Sequence, residues 1–178
     1  MKTLIVFAST HGFTEMCAQR IRSKLIGQVS LTDLAHDPHP DLTESDLRIV
    51  GGSIHAGRIQ PSVRAFTHRR EAELCERPLA LFLACMKQDR EAEQQFVDAF
   101  PGSLRHHAIT RALVGGAYYF ERMNFIQRWV VRRLTGVTQT EEHLDEGQLT
   151  GFVDTLNHLL EQHVEAPRIP GIRAGRTE

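Results

Sequence analysis

The feature that most constrains the fold is a series of short runs that are apolar throughout. Residues 4–8 read LIVFA and residues 78–85 read PLALFLAC. A strand of this composition has to be covered on both faces, which is typical of parallel strands flanked by helices. Helical patterns separate the runs, so the sequence predicts an α/β fold with a parallel sheet between two layers of helices.

Five strands and the main helices can be placed from this pattern. Helices are predicted after the first strand, from Pro61, from about residue 90 and from residue 145. Proline suits the first turn of a helix, and Asp145 with Gln148 three residues later predicts a capping box. The predicted strands cover residues 4–8, 27–34, 46–54, 78–85 and 107–116.

Glycine and hydroxyl residues follow the first, third and fourth predicted strands. The segments are residues 9–14, residues 51–58 and the stretch from Cys85 onward. Parallel sheets bind ligands outside the carboxyl ends of their strands, at the point where the strand order reverses. We therefore expect the three segments to contribute to one ligand site.

The first of these segments, FASTHGFTEM, has the composition of an anion site. A helix N-terminus offers unpaired N–H groups and the positive end of the helix dipole. The hydroxyls of Ser9, Thr10 and Thr14 add donors, and Gly12 lets the backbone turn close to a ligand. The segment lacks the lysine of a triphosphate loop and the GxGxxG pattern of a dinucleotide site. It predicts a single terminal phosphate; the alternative is that these residues only cap a helix.

The segment LIVFASTHGFTEMCAQRI resembles the phosphate-binding opening of the flavodoxin-like superfamily, whose pattern is roughly T/S-x-T-G-x-T. Thr10, Gly12 and Thr14 fall on the pattern, whereas His11 departs from the small residue that is usual there. The resemblance implies a flavodoxin-like, doubly wound, five-stranded parallel sheet in the order 2-1-3-4-5. It also implies that the cofactor is FMN, with its phosphate held by Ser9, Thr10, His11, Gly12, Phe13 and Thr14.

Two later segments resemble one family of that superfamily, the menaquinone-dependent protoporphyrinogen IX oxidases of haem synthesis. RIVGGSIHAGRIQPSVRAFTHR is similar to the segment after their third strand, and ALVGGAYYFERMNFIQRWVVRRLTGVTQT is similar to their long insertion. The likeness covers residues 1–163 as a single domain, with the insertion at about 117–143, before the last helix. Residues 164–178 form a tail that is predicted to be disordered. The resemblance implies that the flavin ring is held by Gly52, Ser53, Ile54, His55, Ala56, Gly57, Ala84, Cys85 and Met86.

The same resemblance implies FMN-dependent oxidation of protoporphyrinogen IX, with electrons passed to menaquinone or another quinone. In such an enzyme the cofactor carries the redox chemistry and the protein supplies orientation and electrostatics. Cys85 either approaches the flavin or is a small buried thiol at a strand end. Arg58 could contact the phosphate, the flavin or a substrate carboxylate, or have only a surface role. Tyr118 and Tyr119 could stack on a ring system or anchor the insertion. The candidate substrate contacts are Arg58, Tyr118, Tyr119 and Arg122.

The insertion carries a predicted basic helix with an aromatic anchor. Its apolar residues at helical spacing are Met123, Ile126, Val130 and Leu134, extended by Phe125 and Trp129. Its basic residues are Arg122, Arg128, Arg132 and Arg133. Such a helix suits an anionic membrane surface or an acidic ligand such as a porphyrinogen with propionate groups. The alternative is that its apolar face packs on the sheet. The residues predicted to face the membrane or the quinone are Trp129, Arg132 and Arg133.

Charge and cysteine content argue against several classes of protein. Lys and Arg number 21 and Asp and Glu 22, a formal net charge of −1 that does not indicate a partner nucleic acid. The three cysteines are widely spaced and most histidines lie in separate stretches, so no disulfide framework and no metal site is expected. No apolar run approaches the roughly 20 residues that span a bilayer, and no signal pattern is evident. With its basic helix, we expect the protein to be cytoplasmic and peripherally associated with the inner face of the cell membrane.

Three other functions stay open for such a chain. An electron-carrier flavodoxin docks on partner proteins and is usually strongly acidic, whereas this chain is nearly neutral and its insertion is basic. An FMN-dependent NAD(P)H:quinone reductase would differ in having its flavin reduced by a nicotinamide. A non-catalytic flavin-sensing or interaction module is compatible with the same fold, because function depends on the site.

Overall fold

The computed structural model describes residues 1–119, 121, 125–135 and 139–165. The strands are β1 (Lys2–Phe7), β2 (Gln28–Asp33), β3 (Leu47–His55), β4 (Arg58–Ile59), β5 (Leu79–Ala84), β6 (Thr110–Leu113), β7 (Gly115–Tyr118) and β8 (Glu141–Leu144). The helices are α1 (Phe13–Lys24), α2 (Pro61–Arg69), α3 (Glu71–Leu74), α4 (Asp89–Ala99), α5 (Gly102–His107), α6 (Phe125–Thr135) and α7 (Glu146–Glu165).

The main sheet has the strand order β2-β1-β3-β5-β6, and these neighbours are all parallel. β4 pairs antiparallel with the end of β3, and β7 and β8 form a separate antiparallel hairpin. If only the five parallel strands are counted, the order is the predicted 2-1-3-4-5. The predicted flavodoxin-like α/β fold is therefore confirmed. The strand order reverses between β1 and β3, and so their carboxyl ends mark the expected ligand edge.

Side chains of each strand alternate between two cores, one on each face of the sheet. In β1, Ile5 and Phe7 join the core beneath α1 and α7, whereas Leu4 and Val6 join the core beneath α2, α3, α4 and α5. All four residues are buried. The apolar runs of the sequence are thus explained, because every position of such a strand faces a helix layer.

The last helix begins with half of the predicted capping box. The Asp145 Oδ1 accepts a hydrogen bond from the Gln148 N–H at 2.9 Å, which satisfies one of the unpaired donors of the first turn. The Asp145 N–H donates to the Val114 carbonyl at 3.1 Å. The acceptor of this N–H is therefore the residue that follows β6, and not the Gln148 side chain. The predicted reciprocal bond is therefore wrong, because tertiary contact with the sheet supplies the acceptor.

A buried arginine in β3 fixes the long connection between β2 and β3. Arg48 is 2% exposed, and its guanidinium donates to the Leu42 carbonyl at 2.9 Å and to the Ser45 Oγ at 3.2 Å. It also donates to the Glu73 carbonyl in α3. One side chain therefore ties a loop to a helix on the same face of the sheet.

Several elements lie beyond what the apolar pattern predicts. Its five strands do not include β4 and β8, and it does not indicate the short helix α5 or the separation of α3 from α2. The fifth predicted strand, residues 107–116, is wrong as a single strand: α5 extends to His107, β6 covers Thr110–Leu113, and β7 begins at Gly115, whose φ of 78° turns the chain out of the main sheet. Arg122, Met123 and residues 166–178 lie outside the described residues, as do the side chains of Tyr118, Val130 and Leu134. Among the helices that the structure describes, none is both long and apolar enough to cross a membrane.

Candidate functional site

The loop between β1 and α1, residues 8–12, forms a tight turn at the carboxyl edge of the sheet. Gly12 is the N-cap of α1 and has φ 98°, a left-handed conformation that side chains other than hydrogen rarely adopt. Its N–H donates to the Ser9 Oγ at 3.1 Å, and its carbonyl accepts from the Met16 N–H at 2.9 Å. Thr14 is buried in the first turn, whereas Thr10 is exposed. The loop thus holds hydroxyls around the N-terminus of a twelve-residue helix.

The hairpin between β3 and β4 forms the second part of this edge. His55 and Arg58 are paired across a two-residue turn, Ala56–Gly57. Both turn residues have positive φ, 48° and 80°, as a type I′ turn requires. Glycine adopts this conformation freely, but alanine does so at a cost, and non-glycine residues in strained conformations cluster at functional sites. Arg58 is exposed.

Two histidine rings bring the first loop and the hairpin together. The ring of His11 lies 5.8 Å from the ring of His55, centroid to centroid, and the Ser53 Oγ lies 3.0 Å from the His55 Nε2. Burial lowers the pKa of His55, and the charge of His11 lowers it further. His55 is therefore a neutral imidazole at pH 7, with one ring nitrogen that can accept a hydrogen bond.

A buried glutamine links the same two loops through the backbone. The Gln60 Nε2 donates to the Ala8 carbonyl at 2.9 Å, and the Gln60 Oε1 accepts from the Ser53 N–H at 2.6 Å. Gln60 is 5% exposed. The sequence pattern did not single it out, because a glutamine before Pro61 is an unremarkable residue at a helix start. Its partner Ala8 is 52 positions away in the chain.

The loop after β5, residues 85–88, forms the third part of the edge. The Cys85 N–H donates to the Gly115 carbonyl at 2.7 Å. This bond continues the backbone pairing beyond Leu83 and Leu113, the last paired residues of β5 and β6. Burial raises the pKa of the Cys85 thiol to about 11, so the sulfur is a protonated thiol at pH 7. Cys85 is buried, and its approach to the flavin stays a prediction. Ala84 is buried, and Met86 is half-buried.

A cavity of about 580 Å³ opens on the side of this third loop that faces β7, β8 and the start of α7. Its walls are mixed, with apolar side chains such as Leu113 and Leu144 beside polar ones such as Lys87 and His143. The Tyr119 hydroxyl donates to the Glu142 carboxylate in β8. Tyr119 therefore anchors the β7–β8 hairpin, which is one of the two roles expected for it.

The insertion presents aromatic and basic side chains to solvent. On α6, Phe125, Ile126 and Trp129 are 82%, 71% and 62% exposed. Arg128, Arg132 and Arg133 are exposed on the same helix. The alternative in which this apolar face packs on the sheet does not hold for these three described apolar side chains.

The structure thus brings most of the predicted cofactor residues to one edge. The first loop, the hairpin and the third loop follow β1, β3 and β5, three adjacent strands of the sheet. Among the described residues, no three His, Cys, Asp or Glu side chains come together as a metal-binding group.

Comparison with solved structures finds proteins of the same fold. The chain is 15% identical to oxidised flavodoxin 1 from Bacillus cereus, with a TM-score of 0.54 over 90% of this chain and 98% of that one. A short-chain flavodoxin associated with a non-canonical PDU bacterial microcompartment is 13% identical, with a TM-score of 0.56 over 89% of this chain and 98% of that one. The rubredoxin oxygen:oxidoreductase of Desulfovibrio gigas is 15% identical to this chain, with a TM-score of 0.58. The match covers 93% of this chain but only 37% of that protein.

The sequence itself matches one family model. Among curated proteins, none is similar enough to count as a match. The flavodoxin domain model, in contrast, matches residues 4–145, most of the chain and all three loops of the edge. FMN, the predicted cofactor, is the cofactor of flavodoxin domains, which confirms a flavin-based redox protein. The chain therefore belongs to the flavodoxin domain family.

Proposed function

We propose that this protein oxidises protoporphyrinogen IX to protoporphyrin IX with FMN and passes the electrons to a membrane quinone such as menaquinone. The observation that carries the proposal is α6, which adds an exposed aromatic and basic surface to a flavodoxin domain. An electron carrier that meets soluble partners has no need of such a helix, whereas an enzyme that delivers electrons to a quinone has to reach a membrane.

The first loop fits the phosphate of FMN. Gly12 caps the start of α1, Ser9 and Thr10 lie in the loop before it, and Thr14 lies in its first turn. Neutral N–H and O–H donors at a helix N-terminus bind a phosphate monoester without a fixed cation. The ring of His11 adds a group that becomes cationic on protonation. In this proposal the phosphate is bound by Ser9, Thr10, His11, Gly12, Phe13 and Thr14.

The hairpin and the third loop fit the two sides of a flavin ring. They follow the adjacent strands β3 and β5, and they offer weakly polar surfaces, because His55 is neutral and the Cys85 thiol is protonated at pH 7. An uncharged ring is accommodated there without burying an unpaired charge. The residues that would hold it are Gly52, Ser53, Ile54, His55, Ala56, Gly57, Ala84, Cys85 and Met86.

FMN, when bound, accepts electrons from one substrate and delivers them to the other. The protein's own residues supply orientation and electrostatics. The Ser53 Oγ lies 3.0 Å from the His55 Nε2 and orients the imidazole ring. His55 is thus a neutral proton acceptor at the edge of the site. Arg58, exposed at the hairpin, is placed to attract a substrate carboxylate. Arg122 and Tyr118 keep their predicted role as substrate contacts within this proposal.

The surface of α6 supports docking on an anionic bilayer. Phe125, Ile126 and Trp129 are apolar side chains that enter the interface between headgroups and acyl chains, and aromatic residues favour that depth. Arg132 and Arg133 lie in the last turn of α6 and attract anionic lipids. Each basic residue close to such a membrane contributes about 1 kcal/mol. Together they would hold the protein peripherally at the cytoplasmic leaflet, where the quinone is dissolved.

One experiment separates this function from its rivals. FMN-loaded protein is mixed anaerobically with protoporphyrinogen IX, and a menaquinone analogue is then added. We expect flavin absorbance to bleach with the donor and to recover with the quinone, as porphyrin fluorescence rises. If the flavin stays oxidised with this donor but bleaches with NADH or NADPH, the protein is a nicotinamide:quinone reductase. If only a redox partner protein exchanges electrons with it, it is a flavodoxin-type carrier.

A second experiment tests the membrane surface by itself. The double variant Arg132→Glu, Arg133→Glu should sediment less with vesicles of phosphatidylglycerol and phosphatidylcholine, and its quinone-coupled turnover should fall. The control is Arg22→Glu, Arg64→Glu, which makes the same change in net charge on the exposed faces of α1 and α2. If both double variants lose vesicle binding equally, net charge and not α6 is responsible, and the docking role of α6 is wrong.

A further inference from the structure

Gln60 lies at the point where β1 and β3 separate. The paired register of the two strands ends at Phe7 and Gly51. Beyond that pair, β1 turns into the first loop and β3 continues towards the hairpin. Gln60 immediately precedes α2, and its side chain is buried. It occupies the position from which a side chain can reach both strands after their ladder has ended.

The Gln60 carboxamide replaces the missing ladder bond. It donates to the Ala8 carbonyl at 2.9 Å and accepts from the Ser53 N–H at 2.6 Å. A primary amide carries a donor and an acceptor in a fixed planar arrangement, as a peptide group does. Glutamate keeps the length and the acceptor but lacks the donor, and leucine lacks both. Glutamine is therefore chemically matched to this double contact.

The two partners of Gln60 lie next to different parts of the proposed FMN site, the phosphate loop and the hairpin. Ala8 is the residue before Ser9, where the phosphate loop begins, and Ser53 positions the His55 ring in the hairpin. From this geometry we propose that Gln60 is a positioning residue: it holds the phosphate loop and the flavin-flanking hairpin at the spacing that lets one FMN molecule engage both. The inference rests on the proposed placement of FMN across these two loops.

A spacing role has a signature that loss of stability alone does not produce. A ligand with two recognition groups gains affinity because binding of one group raises the effective concentration of the other, provided that the two half-sites match its span. FMN carries both groups, whereas riboflavin carries the ring without the phosphate. A change in spacing should therefore weaken FMN much more than riboflavin. Partial unfolding would weaken the two ligands by the same factor.

The test compares the affinities of apo-protein for FMN and riboflavin by quenching of flavin fluorescence. Wild type, Gln60→Glu and Gln60→Leu are measured together with Thr67→Val as a matched control. Thr67 is fully buried in the neighbouring helix α2, where its Oγ1 donates to the Val63 carbonyl at 3.0 Å. Thr67→Val thus removes a buried hydrogen bond whose acceptors lie within α2, seven positions after Gln60 in the chain.

We expect Gln60→Leu to lose at least about tenfold in FMN affinity, while riboflavin affinity changes by less than about threefold. Thr67→Val should leave the ratio of the two affinities at its wild-type value. If Gln60→Leu does not fold, Gln60→Glu decides the question by the same ratio. An unchanged ratio in the folded Gln60 variants would overturn the positioning role.

The same titration separates this inference from the proposals on which it rests. If wild type binds FMN no more tightly than riboflavin, the phosphate-loop placement fails and the positioning role fails with it. If wild type prefers FMN and only the Gln60 variants lose that preference, the positioning role stands. That result holds whichever electron donor and acceptor the oxidase assay later identifies.

Discussion

Replacing Gly12 by valine should abolish FMN binding, because this residue sets the conformation of the loop that we propose binds the phosphate. Its φ of 98° is one that a β-branched residue adopts only with strain, about 1–3 kcal/mol. The loop can relieve the strain only by changing its backbone. That change would break the Gly12 N–H bond to the Ser9 Oγ and the Met16 N–H bond to the Gly12 carbonyl.

The expected loss of affinity follows from the donors that move. A hydrogen bond from a neutral donor to a charged group contributes about 1.5–3 kcal/mol. Displacing two such donors at the start of α1 would remove about 3–6 kcal/mol of binding free energy. Since each 1.4 kcal/mol is a factor of ten, FMN affinity should fall by about a hundredfold or more.

The assay needs a control that suffers the same strain at a distance from the site. Gly27 has a φ of 94° and begins the turn into β2, at the opposite edge of the sheet from the first loop. A Cβ at Gly27 would lie 3.0 Å from the Met1 carbonyl oxygen, so Gly27→Val carries comparable or greater strain. Both variants are purified without flavin, their urea midpoints are recorded, and FMN is titrated by fluorescence quenching.

The two variants should lose similar stability, but only Gly12→Val should lose FMN. If Gly12→Val binds FMN with wild-type affinity, the phosphate does not sit on this loop, and the assignment of residues 9–14 is wrong. If both variants lose binding, strain in the fold and not the loop itself explains the result, and the argument from Gly12 fails as well.

Three further predictions follow from the buried polar groups. Arg48→Met should lower the free energy of unfolding by about 2–4 kcal/mol, measured by urea denaturation, because the carbonyls that accept from the guanidinium lose their donor; a cost below about 0.5 kcal/mol would contradict this account. The pKa of His55 is lowered in the folded protein, so below pH 6.5 the unfolded chain binds more protons there and stability falls as the pH falls. His55→Asn should make the unfolding free energy less dependent on pH between neutral and mildly acidic conditions, and an unaltered slope would refute the shift. Because the pKa of Cys85 is raised to about 11, its thiol should resist iodoacetamide at pH 8 in the folded protein, and rapid labelling seen by mass spectrometry would contradict this.

The sheet and the tight turn before α1 could be predicted because each depends on residues that are adjacent in the chain. Leu4, Ile5, Val6 and Phe7 are apolar at consecutive positions, which is typical of a strand covered on both faces. Gly12 follows directly on that strand, at the start of a helical pattern. Local sequence is sufficient for such features, since the chain itself brings the interacting residues together.

The contacts that join the loops could not be predicted, because they link positions far apart in the chain. His11 and His55 are 44 positions apart by their numbers, and nothing local to either residue indicates that their rings approach to 5.8 Å. β4 has only two residues, and the sequence pattern predicts a loop there. The capping residue Asp145 was recognised, but the acceptor of its own N–H, Val114, depends on how α7 meets the sheet.

The sequence by itself determined a flavodoxin-like sheet, a glycine and hydroxyl turn before the first helix, and a basic aromatic insertion, because apolar periodicity, glycine and charge are properties of neighbouring residues. Only the tertiary structure decided that Gln60 bridges the first loop and β3, that His55 is held neutral, and that Phe125, Ile126 and Trp129 face solvent. The physical reason is the same in each case. Hydrogen bonding across strands, burial of a titratable ring and exposure of a helix face all depend on which distant segments pack together, and the folded chain alone specifies that.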